Sequence, residues 1–492
     1  MKYVDSPKTV TYCEIIGNKS SLSSSQYKKT LQSTTKMIPL KKFLKEPLTN
    51  NFLGSEIGSE NYVKKSTHYF MRTKALKNYS SILNFSKESL IPMKPDCFIG
   101  NGLRKGDLLI SKDSNIGEIA ISQGDFPNIM CSGAIYKLPI KEEYSKYIFA
   151  LIKHQMFREQ LDILVPKGAT IRHAKTLFLD CLIPVPSKKD LELINLLVDC
   201  IFKIEVKIDE LFNETLQSIS KELRNDPCKH KFSTNFTKYS EIRKTGRLDT
   251  GLYSHEYMSV ISDIKNYKHG YATIDKLGFK LSRGQNLQVS NIGKSIYSNE
   301  YHNNFYTLIL PKYLSQYGTV NNSSYLGNMN KLKTLEKGDI IFGAEGFEKG
   351  RSFVVIDNME NTITNIHGIT IKQKKHDLNK GIFVKQILDY YRSNDIFDTI
   401  SVGGNGGSMA QAYWDYILFP LFPDSIIKEI ATNYYNYVYK LKLDNQTINE
   451  LIISPIKFNE YLKSGIMNLD ILSKHLKKML NRYIDQAFFS CY

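Results

Sequence analysis

Apolar positions within residues 187–223 recur at alternating steps of three and four: Ile194, Leu197, Ile201, Ile204, Ile208, Leu211 and Thr215. That stripe is the a/d seam of a coiled coil, since a strand would alternate every second residue. It predicts one long helix, with Ser187 as its cap and Asp190 as the acidic member of a capping box. Asn225-Asp226-Pro227 ends it, because proline cannot continue a helix. One such stripe describes the core helix of any bundle. A second changes the picture: Ile427, Ile430, Tyr434, Tyr437, Leu441, Ile448 and Leu451 keep the spacing, interrupted by Asp444, after the Pro-punctuated apolar run 417–423. Two matched seams in one chain predict two helices paired antiparallel.

Short apolar runs near residues 69–76, 108–110, 116–121 and 134–138, separated by Gly-Asp and Gly-x turns, predict a strand-rich module with a flanking helix over 145–160. The pattern then repeats. Leu103-Arg104-Lys105-Gly106-Asp107-Leu108-Leu109-Ile110 returns as Leu335-Glu336-Lys337-Gly338-Asp339-Ile340-Ile341-Phe342, offset by 232 residues. Gly117 matches Gly350 at an offset of 233, Gly133 matches Gly368 at 235, and Gly168, Ala174 and Pro184 match Gly404, Ala410 and Pro420 at 236. Offsets that climb in small steps are what loop insertions leave in a duplicated domain. The expected organisation is an arm over 1–36 with weak local structure, a first domain over 37–186, the central helix over 187–224 and a linker with an entry segment over 225–269. A second domain over 270–423, a distal long helix over 424–453 and a tail over 454–492, with an amphipathic helix at 472–488, complete it. The fold class is α/β (α+β): two strand-rich domains separated by two long antiparallel coiled-coil helices.

At 492 residues, 42% hydrophobic and 23% charged, the chain has ordinary globular usage and room for about three domains. No run of about 18 apolar residues is present to cross a membrane, and the N-terminus MKYVDSPKTV lacks the apolar core of a signal peptide, so a cytoplasmic location is expected. The seven cysteines lack any C-x-x-C spacing, which predicts neither a disulfide framework nor a zinc site. Charge says more: 66 Lys and Arg against 49 Asp and Glu give +17, the footprint of a protein that neutralises phosphates.

Catalytic chemistry is not legible. Phosphate-loop, dinucleotide and H-E-x-x-H motifs are absent, and so is the tetrad of an amino-methyltransferase. Asp339, Glu345 and Lys349 superficially resemble a nuclease set, but the first copy offers Ser111-Lys112-Asp113 there, so the shared Asp107 and Asp339 read as turn chemistry. Gly403-Gly404-Asn405-Gly406-Gly407-Ser408 suits either a phosphate cradle or a turn. Cys228-Lys229-His230 reads as incidental. No catalytic residue and no metal site is assigned. If the phosphates are those of a nucleic acid, the side chains able to leave the scaffold for it are those in turns after strands: Lys112, Asn115, Lys167, Arg172 and His173 in the first module and Arg283, Asn286, Lys349, Arg351 and Asn405 in the second.

Two modules, each with an L-x-K-G-D-[LI]-[LI] strand, a glycine turn and a Pro-punctuated strand running into a long helix, resemble the specificity subunit of Type I restriction–modification systems. Gly168-Ala169-Thr170-Ile171-Arg172-His173-Ala174 followed by Leu182-Ile183-Pro184-Val185-Pro186 carries most of the likeness, with Arg247-Leu248-Asp249-Thr250-Gly251-Leu252-Tyr253 resembling the entry segment of a recognition domain. The resemblance implies two target-recognition domains held apart on antiparallel helices, each reading one half of a bipartite site in double-stranded DNA. It also implies DNA adenine methyltransferase partners, restriction or translocase subunits as further partners, and no cofactor on this chain, S-adenosylmethionine and ATP belonging to those partners. The glutamine usual after the Pro-rich strand is missing from both helix starts, and the tail is additional. The competing readings are a coiled-coil interaction scaffold and an enzyme with an unrecognised nuclease site.

Overall fold

Residues 3–489 are described by the structure, a computed structural model, apart from 6, 18, 19, 21, 23, 31, 32, 101, 166–173, 226–238, 347, 348, 357, 358, 360, 404–406 and 440–443. They form two units: residues 1–206 with 442–458 and 471–492, and residues 207–441 with 459–470.

The first unit begins with β1 (Val4–Asp5), α1 (Tyr12–Gly17) and β2 (Lys29–Thr30), β1 pairing antiparallel with β2. The arm is thus more ordered than its serine-rich composition predicts. Tyr3 is buried with ring contacts to His154 and Phe489, its backbone N–H donates to Glu159 Oε2 at 2.7 Å, and its hydroxyl donates to Asp485. The module proper follows as β3 (Met37–Pro39), β4 (His68–Met71), β5 (Leu90–Met93), β6 (Leu108–Ser111), β7 (Ile119–Ile121), β8 (Ile129–Cys131), β9 (Ile135–Lys137), α2 (Ser145–Lys153), α3 (Gln155–Leu164) and β10 (Leu182–Pro184). β6 lies between antiparallel β7 and β9, and β4 between antiparallel β5 and parallel β8, while β10 closes antiparallel on β3. β6 is buried along its whole length, which is why it reads as a continuous apolar run rather than an alternation. It leads through the module to α4 (Lys188–Arg224), the expected central helix of 37 residues. The capping box is formed: Asp190 N donates to Ser187 Oγ and Ser187 N to Asp190 Oδ2, both at 3.2 Å.

The second unit takes the rest of α4 and then α5 (Tyr239–Thr245), α6 (His255–Lys265), β11 (Tyr271–Thr273), β12 (Phe279–Arg283), α7 (Val289–Ile292), β13 (Ser295–Ser298), β14 (Tyr306–Leu308), β15 (Ser324–Asn328), β16 (Ile340–Gly343), β17 (Ser352–Val354), β18 (Thr362–Ile363), β19 (Gly368–Gln373), α8 (Leu378–Ser393), α9 (Ile396–Ile400), β20 (Leu418–Pro420) and α10 (Asp424–Tyr434). The duplication holds strand by strand. β16 lies between β17 and β19 as β6 does between β7 and β9; β14 joins antiparallel β15 to parallel β18 as β4 joins β5 to β8; β11 pairs with β20 as β3 does with β10. Asp107 Oδ2 accepts from Arg104 N at 2.9 Å and Asp339 Oδ2 from Glu336 N at 3.0 Å, so this shared aspartate closes a turn in both copies. Two strands, β12 and the edge strand β13, enlarge the second copy's sheets.

The distal helix differs from the expected 424–453. α10 stops at Tyr434, where Tyr435 turns extended (φ −146, ψ 110), and Tyr437 is exposed; Leu441 lies outside the described residues. Helix resumes as α11 (Asn445–Ile453), because Asp444, the interruption in the seam, is its cap and accepts from Thr447 N at 2.8 Å. α12 (Pro455–Tyr461) and the long α13 (Ile466–Phe489) follow. In the first unit α13 is the helix that pairs with α4: Tyr483 donates to Asp190 at 2.7 Å, Ser473 to Glu205 at 3.2 Å, and Lys477 also reaches Glu205. Partner numbers fall as those of α4 rise, so the pairing is antiparallel. Leu472, Leu476, Leu480, Ile484 and Phe488 make its buried stripe. In the second unit α10 meets α4, with Ile430 and Tyr434 buried and Asn433 donating to Thr215 Oγ1 at 3.3 Å. Ile194, Leu197, Ile201, Ile204, Ile208 and Leu211 are all buried, as the seam requires. Ile448, placed with Ile427 in one seam by its spacing, is buried within α11 in the first unit.

Candidate nucleic-acid interface

In each module the turn that follows the central strand is set by the same main-chain bonds. Gly117 N donates to Ser111 O at 2.9 Å, and Gly350 N to Gly343 O at 2.8 Å. Lys112 N donates to Ala134 O at 2.9 Å and Ala174 N to Lys112 O at 2.8 Å; Ala344 N donates to His367 O at 3.2 Å and Met409 N to Ala344 O at 2.8 Å. Three loops therefore meet at one edge of each module. Gly54 and Gly284 complete the register: a Cβ would come 2.3 Å from Cys131 O in one copy and 2.1 Å from Asn365 O in the other, so only glycine lets the backbones approach.

On this frame the sequence-expected residues separate into three groups. Lys112 is half-buried and pairs with Asp113 at 3.0 Å, while Asn115 is exposed in the turn. Arg283, at the end of β12, donates through Nη1 to Glu345 Oε1 and to Ile366 O, both at 3.2 Å, and His367 Nδ1 lies 2.7 Å from Glu345 Oε2. Arg283, Glu345 and His367 form an exposed charged cluster on the second module. Asn286 accepts from Gln288 N at 3.1 Å in a tight local turn. Lys349 and Arg351 are turned inward instead. Lys349 pairs with Asp398 at 2.5 Å, and Arg351 donates to Leu314 O at 2.9 Å, both cations at most 8% exposed. The reason is register: they flank Gly350 as Ile116 and Glu118 flank Gly117, and Glu118 likewise faces the helices, meeting Arg158 at 2.9 Å. Lys167, Arg172, His173 and Asn405 lie outside the described residues.

Glu345 and His367 were not among the expected contact residues. The climbing offset carries the signal, since 232 residues beyond Asp113 lies Glu345, the partner that holds Arg283. The nuclease-like set does not assemble around one point: Asp339 is buried and accepts from Glu336 N and Gln373 N, both at 3.0 Å, with burial pushing its carboxyl up. Among the described residues no group of three or more His, Cys, Asp and Glu is placed to hold a metal ion, and no helix is long and apolar enough to cross a membrane.

Away from this edge each module grips its helices through an equivalent loop. In the first unit Lys153 Nζ donates to Lys77 O, Lys477 Nζ to Tyr79 O and Ser81 N to Glu205 Oε2, each at 2.6 Å. In the second, Tyr317 donates to Asp209 at 2.8 Å, Lys385 Nζ to Tyr317 O at 2.9 Å and Thr319 to Asp470 at 3.0 Å. The same loop position thus docks on α4 and α13 in both copies.

Neither a protein-family model nor a curated protein matches the chain. Among solved structures it is similar to the S subunit of the Type I restriction–modification system from M. genitalium, at 13% identity and a TM-score of 0.36, over 92% of this chain and 98% of that one. The match takes in nearly the whole of both chains. A chain from work on complex assembly and conformational transition of the type I R-M system is similar at 10% identity and a TM-score of 0.29, over 93% and 99%. The HsdS subunit from Thermoanaerobacter tengcongensis is similar at 11% and 0.27, over 94% and 99%.

Proposed function

We propose that this chain is a specificity subunit of the Type I restriction–modification kind, which binds double-stranded DNA at a bipartite site and recruits methyltransferase subunits, with restriction or translocase subunits as further partners. The observation that carries the reading is the duplication: one strand plan is built twice, and each copy gathers three loops at one edge and anchors on the long helices through the equivalent loop. Two similar readers on one chain suit two half-sites at fixed separation. The net charge of +17 supports the phosphate contacts that give affinity. Chemistry then belongs to the partners, which hold S-adenosylmethionine and ATP. The test is binding of the purified chain, alone and with its co-purified partners, to a pool of randomised duplexes across a salt series. A steep fall of affinity with salt and an enriched two-part sequence are expected; salt-independent or undetectable duplex binding would leave the scaffold reading.

A further inference from the structure

The second module differs from the first by an element whose surface is unusual. β13 is the edge of the sheet β13-β15-β14-β18, and the matching sheet of the first module, β5-β4-β8, has no such strand among the described residues. β13 presents Ile296 and Tyr297 to solvent, and at its end the turn after β15 carries Met329, 99% exposed. That turn is rigidly built. Asn330 N donates to Asn328 Oδ1 at 2.7 Å, Asn328 Nδ2 to Ser295 Oγ at 2.8 Å, and Asn330 Nδ2 to Ile292 O at 3.0 Å. An apolar thioether is therefore held out on a pinned tip rather than left on a loose loop. Lys294, Lys331 and Lys333 are exposed on the same two segments, and residues 284–299 and 324–335 contain no Asp or Glu.

An apolar tip flanked by cations, on segments that carry no acid of their own, fits a DNA duplex: lysines take the backbone and a flexible apolar side chain enters between base pairs, as wedge residues of minor-groove proteins do. We infer that Met329 is the wedge by which the second module distinguishes its half-site, with Lys294, Lys331 and Lys333 positioning it. The inference rests on the DNA-binding reading above and deepens it, adding a residue for specificity that the first module does not duplicate.

The experiment measures the full chain, co-purified with its partners, against randomised duplexes. Because Met329 is almost wholly exposed, Met329→Ala is expected to fold as the parent does, to lose roughly tenfold in affinity for the duplexes the parent selects, and to relax base preference in one half of the site only, with the salt slope unchanged. Replacing all three lysines by Ala is expected to lower the salt slope by up to about three units, near 0.9 per phosphate contact, while the base preference stays. Met329→Leu should retain most of the binding. If the parent selects a two-part site and Met329→Ala matches it within about twofold with unchanged preference, the inference is overturned and the DNA-binding reading stands. A parent that binds no duplex overturns both.

Discussion

Gly284 marks how narrow the tolerance is at a single residue. Adding one methyl group there brings Cβ against a main-chain carbonyl at 2.1 Å, which no rotamer relieves. Gly284→Ala should cost about 1–3 kcal/mol, as overpacking does, and lower the melting temperature, with Gly54→Ala behaving alike. Arg283 and Lys349 predict opposite phenotypes despite their equal charge. Arg283→Ala, at the exposed edge, should weaken duplex binding and reduce the salt slope by about one unit, with little change in melting temperature. Lys349→Ala should do the reverse, because it removes a buried ammonium from its contact with Asp398. Asp190 supplies a pH signature. Burial pushes its carboxyl up, but hydrogen bonds from Ser187 and Tyr483 outweigh this and hold it below the usual carboxylate range. A depressed acid stabilises the fold above its unfolded pKa and loses that contribution as pH falls through the folded one. Melting temperature should therefore drop on acidification more steeply in the parent than in Asp190→Asn. The sequence showed Ser187 and Asp190 as a cap, since capping is local; it could not show that Tyr483, 293 positions away, shares the carboxylate.

Among the elements, α4 was legible in full because its stripe, cap and terminator agree. The distal helix was not. Its seam spacing runs from Ile427 to Ile448, yet the chain leaves the helix at Tyr435, and Asp444, which reads as a flaw in a stripe, is the start of a new helix. Periodicity registers which positions are apolar, not which partner covers them, and so α13 was read as a tail although it covers the first half of α4. Leu476→Ala, at a fully buried position of α13, should cost about 2–5 kcal/mol in thermal or denaturant unfolding. Ile204→Asp should cost more, placing an unpaired charge in the seam, and should also abolish capture of partner subunits in a pull-down.

For the whole molecule, the duplication was the most legible feature, because the shared strand and the turn glycines Gly117 and Gly350 leave marks at nearly equal offsets, although the register puts Gly368 in the place of Ile135 and not of Gly133. The inward turn of Lys349 and Arg351 was hidden, since it depends on partners distant in sequence, Asp398 and the carbonyl of Leu314, that pack behind the Gly350 turn. If the modules are independent readers, exchanging residues 37–186 for the equivalent segment of a related chain should change one half of the selected site and leave the other as it was. A swap that altered both halves would mean the readers are not separable.

The division of the chain has a consequence for the order in which it is made. The first unit needs residues 471–492, which leave the ribosome more than two hundred residues after residue 206. At about 5–20 residues per second that is a delay on the order of tens of seconds. Throughout it, Ile194, Leu197, Ile201 and Ile204 have no α13 to cover them. The unit synthesised first is completed last, and a nascent chain halted before α13 carries a bare apolar stripe that any chaperone or neighbouring chain can occupy.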